Sequence, residues 1–190
     1  INKPVNIITT TGDAVIDSSK TATFNVIAGG AYTNVTGLTF INTVIFVTGA
    51  QHVTFDSIST TASMSGVGSG TGFVCFRAYS EYGTVKNSYL HNAGNGGSSV
   101  VVAGGGAPYL VVDNNVFNIT GSSGNIISGN TYTSGSAGAV PDHLVITNNV
   151  IYNSMASNPF CRAISLLGSY NVIENNTIHQ TANSVMGGSY

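Results

Sequence analysis

Six stretches of the chain repeat one order of apolar and polar positions: residues 34–41, 52–59, 84–91, 111–118, 145–152 and 172–179. In each, an aliphatic residue (Val35, Val53, Val85, Val112, Ile146, Ile173) is followed five positions later by a second large apolar residue (Phe40, Ile58, Leu90, Phe117, Ile151, Ile178). Side chains alternate between the two faces of a strand, so an odd separation cannot keep both on one face unless the strand bends between them. Asn-Asn occupies that bend in the last three copies, and Asn tolerates the left-handed backbone of a tight turn. A further β-rich run precedes each unit, at residues 24–28, 44–48, 73–76, 99–103, 126–127 and 163–167. The spacing between units varies because segments are inserted at 61–71, 91–97, 128–141 and 153–159.

Strand, turn, strand and a third strand, repeated with loops at the corners, predict an all-β, right-handed parallel β-helix. It has three short strands per coil and about six to seven coils. Successive coils stack at about 4.8 Å, which brings equivalent residues into columns. Asn115, Asn149 and Asn176, preceded by Ser88, Asp56 and Leu38, are expected to form one such column, with side-chain amides bonded from rung to rung.

Length is consistent with one domain over residues 1–190. The first residue is Ile, the sequence starts in mid-pattern and no charged-then-apolar leader opens it, so it reads as a segment of a larger surface protein. Only 6% of residues are charged, against about a quarter in an average protein, and Gly, Ser, Thr and Asn fill their places. The five Lys and Arg are scattered, which leaves no basic stripe for nucleic acid, and no apolar run is long enough to span a bilayer. Two cysteines, Cys75 and Cys161, are too few for a disulfide scaffold. They precede units three repeats apart, about 14 Å along the axis, beyond the roughly 7 Å limit between Cα atoms, so both thiols are expected to be unpaired.

These units resemble the repeats of the pectate-lyase-like parallel β-helix superfamily. The opening Ile1-Asn2-Lys3-Pro4-Val5-Asn6-Ile7-Ile8, the Ile16-Asp17 pair and the rung Asn34-Val35-Thr36-Gly37-Leu38-Thr39-Phe40 are similar to coils of adhesin-like surface proteins of methanogenic archaea and bacteria. The rung here lacks two residues usually found before its glycine. The resemblance implies the fold. Lyases, hydrolases, epimerases, tailspikes and adhesins share that fold, so it does not choose among them.

Enzymatic work on polysaccharides needs clustered charge, and the seven acids fall mostly in different registers. One outward column, Thr36, Thr54, Lys86, Asp113, Thr147 and Glu174, supplies the candidate catalytic residues Lys86, Asp113 and Glu174. Asp113 and Glu174 are two rungs apart, about 9.6 Å, near the upper limit for an inverting pair. The structural reading of the same column is a Lys86–Asp113 ion pair on a solvated sheet. A neighbouring column of His91, Asn118, Tyr152 and His179 offers candidate binding residues His91, Tyr152 and His179. The four histidines share no metal-ligand spacing, and neither metal nor cofactor is expected. Arg77 and Arg162 each follow a cysteine within two residues and are expected near strand ends. Sequons at Asn34, Asn118 and Asn175 are candidate glycosylation sites, Asn118 the most accessible of the three.

Together these features describe an extracellular or cell-surface structural or adhesive module. Its expected partners are glycans, other surface proteins, or copies of itself stacked end to end, since neither end supplies a capping helix. The alternative is a polysaccharide-acting lyase, epimerase or glycoside hydrolase with a groove near Lys86, Asp113 and Glu174.

Overall fold

The computed structural model describes residues 1–9, 14–62, 72–92, 99–104, 106–120, 125–129, 140–154 and 162–180. Cys161, Asp13, residues 181–190 and most of each inserted segment lie outside them. The protein is an all-β parallel solenoid. One sheet stacks seven three-residue strands in the order Asn6–Ile8, Asn34–Thr36, Thr54–Asp56, Thr84–Lys86, Val111–Asp113, Val145–Thr147 and Val172–Glu174. A second, folded sheet supplies two further sides. One limb stacks Ser59–Ala62, Tyr89–Asn92, Val116–Ile119, Val150–Asn153 and Thr177–Gln180; the other stacks Gly72–Phe76, Ser99–Ala103, Asn125–Gly129 and Arg162–Leu166. The long strands Val15–Ile27 and Thr39–Thr48 run through both limbs and join them. Each passes the corner with an irregularity: a register shift between Asp17 and Ala22 in the first, and a left-handed Asn42 (φ 50°) in the second.

Every described pairing is parallel, and apart from the shift between Asp17 and Ala22 each paired residue lies above its counterpart. The core is built from such columns: Val35, Phe55, Val85, Val112 and Ile146 from the short-strand sheet, Phe40, Leu90, Phe117 and Ile151 from the first limb, and Ile45, Val74, Val101 and Ile127 from the second. All are at most 2% exposed. In the second limb the alternate row (Val44, Phe73, Val100, Ile126) is equally buried, while polar Asn25, Ser128 and Ser165 stand level with Phe46 and Cys75 on the same face. Cys75 is buried in the adjacent row, level with Phe46 and Val102. Arg77 follows the strand end and lays its guanidinium carbon 3.5 Å from the centre of the Phe46 ring. Among the described residues no helix is long and apolar enough to cross a membrane.

Five of the six repeats adopt the register read from sequence. The second does not. Asn34 pairs with Thr54 rather than His52, and Thr54 with Thr84, a slip of two residues. The buried pair of this repeat is Phe55 and Thr60 in place of Val53 and Ile58. Asp56 moves from the amide column to the outward column between Thr36 and Lys86, while Thr54 leaves that column. A two-residue slip preserves the inward-outward alternation, which is why the apolar spacing of Val53 and Ile58 imitates a rung. Both are buried all the same, as corner residues.

Thr60 consequently sits in the core between Phe40 and Leu90, 1% exposed, with no hydrogen-bond partner for its Oγ1. Replacing an unsatisfied hydroxyl by a methyl of the same shape removes a desolvation penalty. Thr60→Val is expected to raise the free energy of unfolding by about 1 kcal/mol, read from urea denaturation; a loss of stability would mean that the hydroxyl is satisfied.

Candidate functional site

The short-strand sheet is a solvent-facing surface, and each of its margins is a corner built on left-handed residues. At the corner after each strand from Asn34–Thr36 onward the positions are Gly37, Ser57, Asn87, Asn114, Asn148 and Asn175, with φ between 50° and 80°. Gly and Asn take this conformation readily, so the sequence predisposes the turn. The amides of Gly37, Ser57, Asn87, Asn114 and Asn148 donate to the carbonyl one coil on, as in Asn87 to Asp113 (3.2 Å) and Asn114 to Thr147 (3.1 Å).

The next residue points inward and forms the expected ladder. Asn115 Nδ2 donates to Asn149 Oδ1 (3.0 Å) and Asn149 Nδ2 to Asn176 Oδ1 (2.9 Å). The same Oδ1 atoms accept the backbone amides of Asn115 and Asn149, and Asn115 Oδ1 accepts that of Ser88. Second amide hydrogens reach Val85, Val112 and Ile146 carbonyls. Ser88 Oγ accepts the Ile58 amide, and the column continues into apolar Ile58 and Leu38. Each side chain thus satisfies backbone groups that the turn strands.

The outward column of the sheet runs Ile8, Thr36, Asp56, Lys86, Asp113, Thr147 and Glu174. Lys86, Asp113 and Glu174 are on one column, as the sequence suggests, with Glu174 two rungs beyond Asp113. The ion pair is a different one: Lys86 Nζ lies 3.3 Å from Asp56 Oδ2. Burial raises the Asp56 carboxyl, but hydrogen bonds from Asn87, Ser57 and Lys86, with the ammonium charge, outweigh it and hold Asp56 below the ordinary aspartate value. Asp113 Oδ1 accepts Thr147 Oγ1 (2.7 Å) and Asn148 Nδ2 (2.8 Å), and these bonds hold it low as well, with Lys86 adding its charge. Both carboxylates act as acceptors in rung-to-rung contacts.

A carboxyl whose folded pKa is depressed stabilises the fold above its unfolded pKa, near 3.9. That contribution is lost as the pH falls through the lower folded value. The urea midpoint is therefore expected to fall more steeply below about pH 4 in the wild type than in the Asp56→Asn, Asp113→Asn double variant, whose amides keep an acceptor oxygen without a titration. Parallel acid profiles would contradict this.

On the first limb, His91, Asn118, Tyr152 and His179 share an outward column with Thr61. Tyr152 and His179 stack at 4.9 Å; Asn118 Nδ2 donates to Tyr89 OH (2.8 Å), and Thr120 Oγ1 lies 3.4 Å from His91 Nε2. His91 is not adjacent to Tyr152 or His179, so the three candidate binding residues form a row rather than a pocket. Of the sequon asparagines, Asn34 and Asn175 are exposed while Asn118 is partly covered, which reverses the order of accessibility expected from sequence. Asn34 Nδ2 also donates to Asn6 Oδ1.

The opposite margin of the short-strand sheet carries a feature that sequence reasoning missed. Tyr32, His52, Tyr82, Tyr109, His143 and Tyr170, each two residues ahead of a strand, stack face to face in one column. Consecutive ring centroids are 4.7–4.9 Å apart and interplanar angles are 5–27°. All six have positive φ, from 55° to 62°. Their amides bond from coil to coil, as in Tyr32 to Gln51 (2.9 Å) and His52 to Glu81 (3.0 Å).

Comparison with protein-family models, curated proteins and solved structures finds no match to this chain.

The energetics of the two margins differ. Left-handed backbone costs about 1–2 kcal/mol for a residue other than Gly, less for Asn. A stacked aromatic pair contributes about 0.5–1.5 kcal/mol beyond area burial. Five stacking contacts are therefore of the same order as the strain of six left-handed residues, whereas asparagine, used at the other margin, avoids most of that strain. Strain retained on an exposed surface is a pointer to function. Among the described residues, no group of three or more His, Cys, Asp or Glu is placed to hold a metal ion.

Proposed function

We propose that the chain is a right-handed parallel β-helix, with three strands per coil and about six to seven coils, that serves outside the cell as a structural or adhesive module. It presents rows of hydroxyl, amide and aromatic groups to carbohydrate or to other surface proteins. The observation that carries this reading is the lengthwise organisation of its polar chemistry. Asp56, Asp113, Asn87, Asn114 and Asn148 bond to the rungs beside them, which suits a stiff surface of repeating contacts. A catalytic acid near neutral pH needs a raised pKa, and the depression of Asp56 and Asp113 runs in the opposite direction. The neutral, hydroxyl-rich composition fits a neutral, hydrogen-bonding ligand.

The test is retention on a panel of insoluble neutral and acidic polysaccharides, with reducing ends and unsaturated products measured in the same tubes. Binding without product is expected. New ends or unsaturated sugars, lost in Lys86→Ala and Asp113→Ala, would replace this reading with that of a polysaccharide-acting enzyme.

A further inference from the structure

We propose that the aromatic column at the margin of the short-strand sheet is a self-docking surface, on which a second copy of this chain packs antiparallel about a two-fold axis. The proposal rests on the reading of the chain as a structural module and names one partner of that module.

The column is made of phenol and imidazole rings, its tyrosines exposed and its histidines half-buried, with Glu81 and Asp142 preceding Tyr82 and His143 on its outer side. Tyr32 and Tyr170 are 64% and 78% exposed, and Tyr82 and Tyr109 are 43% and 39% exposed. Beside it runs the outward row Asn34, Thr54, Thr84, Val111, Val145 and Val172, which is uncharged and turns apolar over its second half. An aromatic, partly apolar stripe calls for a neutral partner. Its faces are occupied by stacking within the column, so a partner meets ring edges: phenolic hydroxyls, which donate and accept, and imidazole nitrogens.

Two properties select a second copy. The first is order. A two-fold axis sets the series Tyr-His-Tyr-Tyr-His-Tyr against its own reverse, and a one-rung offset brings tyrosine opposite histidine while leaving Tyr170 outside the overlap. Offset by one rung, Tyr32 faces His143, His52 faces Tyr109, and Tyr82 lies on the axis facing its own equivalent. Each tyrosine–histidine pair then sets a phenol donor against an imidazole acceptor. The arrangement is isologous and closes as a dimer. The second property is phase. Ring spacings of 4.7–4.9 Å are the step of this solenoid, and a second copy repeats at that step, so contacts stay aligned along the column.

Sedimentation velocity of the full chain over a wide concentration range tests this. The wild type is expected to pass from monomer to dimer as concentration rises. Tyr82→Asn with Tyr109→Asn places at these corners the residue that the other margin already uses in left-handed conformation; it is expected to remain monomeric, with circular dichroism unchanged. Tyr82→Phe with Tyr109→Phe keeps the stack and removes two hydroxyls, and is expected to weaken dimerisation at least tenfold. Thr177→Ala, at an exposed position of the first limb, is expected to dimerise like the wild type. A wild type that stays monomeric, or column variants that dimerise as well as it does, would overturn the proposal. Glycan retention lost in the column variants of a strictly monomeric protein would also overturn it, assigning the column to carbohydrate and leaving the module reading intact. Conversely, dimerisation through the column with no glycan retention upholds it while the carbohydrate part of that reading fails.

Discussion

Asn149→Ala is expected to lower the free energy of unfolding by about 4 kcal/mol, as much as a large core truncation. Asn149 is fully buried. Its Nδ2 donates to the Val112 carbonyl and to Asn176 Oδ1, and its Oδ1 accepts both the backbone amide and the side-chain amide of Asn115. Truncation leaves the Val112 carbonyl and the Asn115 amide without these partners inside the solenoid, at about 1–3 kcal/mol for each buried unsatisfied group. Two contacts survive: Asn115 Nδ2 still reaches the Val85 carbonyl, and Asn176 Oδ1 still accepts the backbone amide of residue 149. The comparison is Asn148→Gly, one residue earlier, where glycine keeps the left-handed backbone and an exposed amide is lost. That change is expected to cost under about 1 kcal/mol. Equal urea midpoints for the two variants would contradict the role given to the inner ladder.

Phe117→Ala is expected to cost about 4 kcal/mol. The ring is fully buried and sits level with Leu90 below and Ile151 above in the first limb. Neighbouring rungs are tied by main-chain hydrogen bonds on three sides, so the walls cannot collapse into the space left behind, and the cavity term adds to the lost transfer energy. Phe117→Leu, which refills most of the volume, is expected to cost under about 1.5 kcal/mol. A Phe117→Ala protein as stable as Phe117→Leu would mean that the solenoid interior relaxes freely.

Where one residue type recurs at one offset, the sequence was sufficient. Asn115, Asn149 and Asn176 follow a left-handed Asn and precede a strand, and the apolar residues on either side fix register in three successive coils. The second repeat misled because Val53 and Ile58 reproduce the apolar spacing of a rung, while the true rung places a threonine, Thr60, in the core. Propensity alone does not expect a buried hydroxyl there. The Lys86 partner followed from the same slip: with Asp56 assigned to the amide column, Asp113 was the only acid left beside the lysine. The aromatic column was missed for another reason. Tyrosine and histidine two residues ahead of each strand read as ordinary turn residues, and bulky side chains are uncommon at positive φ. Only correct alignment of the second repeat, which puts His52 level with Tyr32 and Tyr82, reveals an unbroken series.

The central claim is that side chains on adjacent coils stand in register, with Asp56 directly beside Lys86. Paired cysteines test it. In Asp56→Cys, Lys86→Cys the two Cα atoms are parallel rung neighbours, about 4.8 Å apart and within the range that a disulfide bridges. In Thr54→Cys, Lys86→Cys they are offset by two further residues along the strand, beyond that range. Mild oxidation followed by peptide mapping is expected to yield the 56–86 disulfide rapidly and no 54–86 disulfide, whereas preferential 54–86 bridging would restore the register suggested by Val53 and Ile58 and contradict the structure described above.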